Sequence, residues 1–185
     1  RGRIDGGIID DFTECGLYLD SGDGSVSPNT IQIAETEICT GAGTGVYLTD
    51  MSHAVDLISV RVHKCGGRGV ETSAGSTLAS LNFRAGVIQR NDGYGIYADN
   101  DLNVVVHGMY FEGNGAAEDH TGEIHLTETD AALIEGCYGN GGVDYQADYF
   151  VTLDGAQHTE VRGVRANNYA EALVRAEGGT SDLDV

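Results

Sequence analysis

Four segments share one design: Gly16-Leu17-Tyr18-Leu19, Gly45-Val46-Tyr47-Leu48, Gly69-Val70-Glu71-Thr72 and Gly95-Ile96-Tyr97-Ala98. In each, a glycine precedes an apolar residue, then a surface-type residue, then a second residue of the inward series. Such period-2 alternation over a few residues describes a short strand with one buried face. Degenerate copies follow at Ile124-His125-Leu126, Val151-Thr152-Leu153 and Leu173-Val174-Arg175. The first inward residue moves through 17, 46, 70, 96, 124, 151 and 173, in steps of 29, 24, 26, 28, 27 and 22. Recurrence at that spacing is the mark of a stacked-repeat architecture.

Two further strand patterns run in phase with this one. Ile9, Ile38, Val62 and Ile88 each stand eight residues before an anchor, and Phe111, Cys137 and Val164 extend the series at longer offsets. Upstream lie the alternating pairs Ile31/Ile33, Val55/Leu57, Leu81/Phe83 and Val104/Val106. Three residues after the Val62-type position come Cys65, Asn91, Asn114, Asn140 and Asn167, which reads as a ladder of turn side chains. A strand this short cannot bury its apolar face alone. Stacking on the next copy closes a core and pairs the backbone at about 4.8 Å per coil. Antiparallel hairpins would need turns of two to five residues between partners, whereas like segments here recur only after about 26. The expected fold is all-β: a single parallel β-helix domain over residues 1–185, of about seven coils of 22–29 residues, cut from a longer chain.

The runs Leu102-Asn103-Val104-Val105-Val106-His107-Gly108-Met109-Tyr110-Phe111-Glu112-Gly113-Asn114 and Leu78 to Asn91, and the opening Ile4-Asp5-Gly6-Gly7-Ile8-Ile9-Asp10-Asp11-Phe12, resemble coils of the right-handed, pectin-lyase-like β-helix superfamily. The resemblance covers nearly the whole chain. It implies fold rather than activity, because that superfamily includes pectate and pectin lyases, polygalacturonases, alginate epimerases and viral tailspikes. The polygalacturonase-like set of Asn-Thr-Asp, Asp-Asp, Gly-His-Gly and Arg-Ile-Lys is missing, as is the epimerase signature ending in Asp-Pro-His. For a lyase, Arg61, Lys64, Arg68, Arg84 and Arg90 are the available bases.

Composition narrows the partners. The chain has 29 acidic and 10 basic residues, a net charge of −19, and Lys64 is its one lysine. Such a field repels nucleic acid and anionic bilayers. No apolar run approaches the roughly 18 residues of a membrane span. The four cysteines form no Cys-x-x-Cys pair and read as buried thiols, with a Cys39–Cys65 bridge as the alternative.

With 17, 46, 70, 96 and 124 inward, the column Tyr18, Tyr47, Glu71, Tyr97, His125, Thr152 faces outward, beside a second column of Asp20, Thr49, Ser73, Asp99, Thr127 and Asp154. Aromatic rings interleaved with carboxylates suit sugars, since a ring packs on C–H faces while acids take hydroxyls. Tyr18, Tyr47, Tyr97 and Asp154 are the glycan-binding candidates. Glu71 and Asp99 are the candidate carboxylate pair for glycoside hydrolysis, with His125 tuning protonation. Stacked tyrosines also pack well on any strand surface. Asp20 and Asp23, in Asp20-Ser21-Gly22-Asp23-Gly24, offer oxygen ligands for Ca²⁺.

The expected role is structural and glycan-recognising, in a viral tailspike or fibre or a cell-surface protein. The rival is a polysaccharide lyase, glycoside hydrolase or epimerase acting on an extracellular polysaccharide. The expected setting is extracellular, on a virion or at a cell surface, and the surface loops are candidates for contacts in a homotrimer. An acidic surface almost free of lysine also resembles halophilic proteins, whose self-repulsion is screened where the Debye length falls to about 3 Å. An acidic secreted protein is the alternative. The halophile reading predicts that far-ultraviolet circular dichroism loses its β signal on dialysis from molar salt into dilute buffer; an unchanged spectrum contradicts it.

Overall fold

The computed structural model describes residues 2–20, 30–49, 53–73, 78–115, 122–141 and 147–185. All regular elements among them are strands, so none is a helix long and apolar enough to cross a membrane. The strands sort into three parallel sheets, and the chain visits each sheet once per coil. Sheet I has eight strands, from Gly2–Asp5 to Leu183–Asp184. Sheet II has seven, from Ile8–Asp10 to Arg165–Asn167, and sheet III has seven, from Cys15–Asp20 to Ala172–Glu177. The result is a parallel β-solenoid.

Register follows the inward residues. Sheet III aligns Leu17, Val46, Val70, Ile96, Ile124, Val151 and Val174. Six of these seven are the anchors expected from sequence. The seventh is Val174 rather than Leu173, a slip of one residue. In sheet I, Ile31, Val55, Leu81 and Val104 align, as do Ile33, Leu57, Phe83 and Val106. These side chains fill one continuous core.

The glycine that opens each sheet III strand has a steric cause. A Cβ on Gly16, Gly45, Gly69 or Gly95 would lie 2.5–2.8 Å from the carbonyl oxygen of the matching residue one coil on. Opposite stand the side chains of sheet II: the same Cβ atoms on Gly16, Gly45 and Gly69 would meet Ile38, Val62 and Ile88. One column stays empty so that the facing one can be large.

Further along, the two columns exchange roles. The glycine positions become Glu123 and Phe150, and the large sheet II positions become Gly139 and Ala166. A Cβ on Gly139 would run into the Phe150 ring at 2.5 Å. Phe150 packs edge-on against Phe111, with ring centroids 5.6 Å apart. Cys137 and Val164 therefore do not continue the Ile88–Phe111 series; they sit two residues early. The expected ladder shifts with them. Asn140 and Asn167 align with Glu112, on the outer face. Cys65, Asn91 and Asn114 do form an inner ladder. The Cys65 backbone N–H donates to Asn91 Oδ1 at 3.0 Å, and the Asn91 side-chain amide donates to Asn114 Oδ1 at 2.8 Å.

Corners repeat as well as strands. The residue after each of seven sheet I strands has a left-handed backbone with φ of 50–72°: Gly6, Glu35, Ser59, Ala85, Gly108, Gly136 and Gly163. All four cysteines are free thiols. Cys39 pairs with His63 on the outer face while Cys65 points into the core, so no bridge joins them. Burial pushes the Cys65 thiol up to about 12. Gly69→Ala should cost about 1–3 kcal/mol by forcing a methyl against a backbone oxygen. Ala85→Gly, at φ 52°, should be neutral or stabilising by up to about 1 kcal/mol. Urea unfolding of both variants checks the contrast.

Candidate functional site

Strand parity turns the residue after each sheet III anchor to the outer face, and the ladder pairings stack these residues over one another. The column reads Tyr18, Tyr47, Glu71, Tyr97, His125, Thr152, Arg175. The second expected column also aligns: Asp20 with Thr49, and Asp99 with Thr127, Asp154 and Glu177. The Ser73 hydroxyl donates to Thr49 Oγ1 at 3.0 Å.

At the first coils Tyr18 and Tyr47 stack with centroids 5.7 Å apart and an interplanar angle of 28°. Tyr18 is 54% exposed, the most open ring of this face. Next, Arg68 ties three side chains together. Its guanidinium donates to Glu71 Oε1 at 2.9 Å and lies over the Tyr97 ring, 3.7 Å from the centroid. The Thr44 hydroxyl donates to the other Glu71 oxygen at 3.1 Å. Glu71 thus presents a carboxylate already engaged by a cation and a hydroxyl.

His125 stands edge-on to Tyr94 and Tyr97, with centroids 4.7 and 5.2 Å away. Burial holds its imidazole below the ordinary histidine range, Asp154 opposes that shift, and Arg68 adds to it. Both ring nitrogens, and the hydroxyl of the paired Thr152, are sealed from solvent without a hydrogen-bond partner among the described residues. Buried polar atoms are normally satisfied, so this pair stands out on the face. Beyond it, Arg175 lies over the Tyr149 ring at 5.2 Å and pairs with Glu177 at 2.8 Å.

Asp99 lies one coil on from Glu71 and two residues along, about 8 Å away at the backbone. Burial raises its carboxyl above the usual range, Glu128 adds to that, and Arg68 opposes it. Tyr18, Tyr47, Tyr97, Glu71, Asp99, His125 and Asp154 therefore share one face, with Asp20 at its first coil. Asp23 lies outside the described residues.

Sequence reading gave Arg68 no partner and overlooked the bracket that Tyr94 makes with Tyr97. The outward parity of 71 and 97 was visible; the guanidinium between them comes from the preceding turn, where no period applies. A second aromatic stack was also hidden. Tyr110 and Tyr138 on sheet II lie 5.6 Å apart at an interplanar angle of 7°, in the region where the predicted register slipped.

Two carboxyls inside the solenoid were not foreseen. Glu123 accepts from the Asn114 amide and from the Tyr169 hydroxyl, and burial pushes it up to about 8. Asp101 accepts from the Thr72 hydroxyl at 3.0 Å and the Leu78 N–H at 3.1 Å, yet burial still lifts it to about 7.

A solenoid of this kind, three parallel sheets with an aromatic and charged stripe along one of them, defines a β-helix protein. The chain belongs to the right-handed β-helix family: the family model for the right handed beta helix region matches residues 16–181. No curated protein matches the sequence significantly.

The buried carboxyls set a pH dependence. Folded Glu123 and Asp101 keep protons that the unfolded chain loses at about 4.5 and 3.8. Their contribution is present below those values and is lost as pH rises through about 7 and 8. His125 acts oppositely, its contribution being lost as pH falls below about 6.5. The melting temperature should fall from pH 6 to pH 8.5, and Glu123→Gln should flatten that slope. Parallel slopes for variant and wild type would contradict the assignment.

Proposed function

We propose that this chain is a recognition module whose sheet III face binds an extracellular polysaccharide. The observation that carries the reading is the stripe from the Tyr18–Tyr47 stack to the Arg68–Tyr97–His125 cluster. Rings stacked along a rigid axis match the repeat of a linear sugar chain, and the fixed carboxylate and guanidinium supply hydroxyl partners. A net charge of −19 disfavours a polyanion, so a neutral polysaccharide is the favoured class. The module belongs in this reading to a viral tailspike or fibre or a cell-surface protein, with a homotrimer as its assembly. A high-salt habitat fits the acidic surface.

One observation favours an enzymatic variant of the same reading. The raised Asp99 carboxyl can hold a proton nearer neutrality than an ordinary aspartate, one coil on from Glu71, whose carboxylate Arg68 engages. That asymmetry is what an acid and its partner carboxylate need, and a hydrolase, lyase or epimerase would use it.

Affinity electrophoresis against neutral and acidic polysaccharides tests both. Tyr97→Ala and Arg68→Ala should each weaken retardation by about tenfold, the equivalent of about 1.4 kcal/mol. Binding unaffected by either change contradicts the reading. Reducing-sugar release or absorbance at 235 nm that disappears in Glu71→Gln and Asp99→Asn would establish the enzymatic variant.

A further inference from the structure

The outer face of sheet II carries a cluster separate from the sheet III stripe. Register stacks Asp10, Cys39 and His63 directly over one another on three successive coils. Glu37 precedes Cys39 by two residues on the same strand, and so faces the same way. Glu37 Oε1 and His63 Nε2 are 2.7 Å apart. With Cys39 Sγ, these donor atoms all lie within 4.8 Å of one another. The Cys39 thiol donates to Asp10 Oδ1 at 3.6 Å, which brings a second carboxylate to the sulfur.

The sulfur and the imidazole are sheltered, while Asp10 is exposed. Cys39 is 8% exposed and the His63 side chain 12%. His63 Nδ1 is sealed without a partner among the described residues, so Nε2 is the nitrogen turned toward Glu37. Arg61 is the competing cation, its Nη1 3.9 Å from Glu37 Oε1. Its side chain is half exposed, so it can turn to solvent when another cation takes the carboxylate.

We propose that Glu37, Cys39 and His63 bind a zinc-class divalent ion, with Asp10 beside the sulfur as the fourth donor. A thiolate and an imidazole with carboxylate oxygens are the donors that zinc and cobalt accept in tetrahedral sites. Calcium and magnesium prefer oxygen alone. Bond lengths of about 2.0–2.3 Å set donor separations of about 3.3–3.8 Å. The Glu37–His63 contact must therefore open by under about 1 Å, while the sulfur closes by a similar amount. The ion would clamp three neighbouring coils, replacing the thiol proton as it binds.

The probe is Co²⁺ added to the reduced whole chain and followed by optical absorption. The expected result is a sulfur-to-cobalt charge-transfer band with visible d–d bands, saturating at one ion per chain. Zn²⁺ should displace it; excess Mg²⁺ or Ca²⁺ should not. Cys39→Ser should abolish the charge-transfer band, and Cys15→Ser should leave it intact. His63→Gln should weaken Co²⁺ binding by more than about tenfold. Circular dichroism checks that each variant keeps its sheets. Wild-type protein with no charge-transfer band overturns the proposal, as does a band that survives Cys39→Ser. Should Cys39→Ser fail to fold, unchanged affinity in His63→Gln overturns it instead.

Discussion

Each coil must lie directly on the one before, and in sheet III that contact leaves no room for a side chain at one position per coil. There the matching residue of the next coil brings its carbonyl oxygen to where a Cβ would stand on Gly16, Gly45, Gly69 or Gly95. Side-chain volume is therefore excluded from one column and supplied by the column opposite, from Ile38 to Phe111. Because side chains alternate along a strand with period 2, a shift of one residue would turn every outward side chain inward. The register that packs the core is the same register that draws the surface stripes.

The exchange near Phe150 shows how the constraint is met when the sequence changes. The interior needs a fixed volume per coil and accepts it from either wall. When Phe150 supplies it from sheet III, sheet II answers with Gly139. The inner polar ladder is adapted in the same region: Asn91 and Asn114 bond coil to coil, and the side chains of Glu123 and Tyr169 extend the network. A carboxyl inside the core is kept tolerable by these donors and by retaining its proton.

Function is a matter of what the stripes contain, since the fold alone supports several activities. One face gathers stacked rings, a guanidinium over an aromatic ring and paired carboxylates. Another gathers sulfur, nitrogen and oxygen donors. Neither group is contiguous in sequence. Glu37 and His63, or Arg68 and Tyr97, meet because about one coil of chain separates them and one coil returns the chain to the same face.

The sequence by itself determined the architecture, three strands per coil, the sheet I pairs, and both outward columns of sheet III from Tyr18 to Asp154. It could do so because period-2 alternation and a repeat near 26 residues are local signals that each strand carries independently. Three things were decided only in three dimensions. Gly139, rather than Cys137, takes the register position of Phe111, because the Phe150 ring from a different strand fills that space. Arg68 reaches Glu71 and Tyr97 from a turn whose direction no periodicity encodes. Asp10, Glu37, Cys39 and His63 converge because neighbouring coils approach to about 4.8 Å, a distance that no spacing along the chain records.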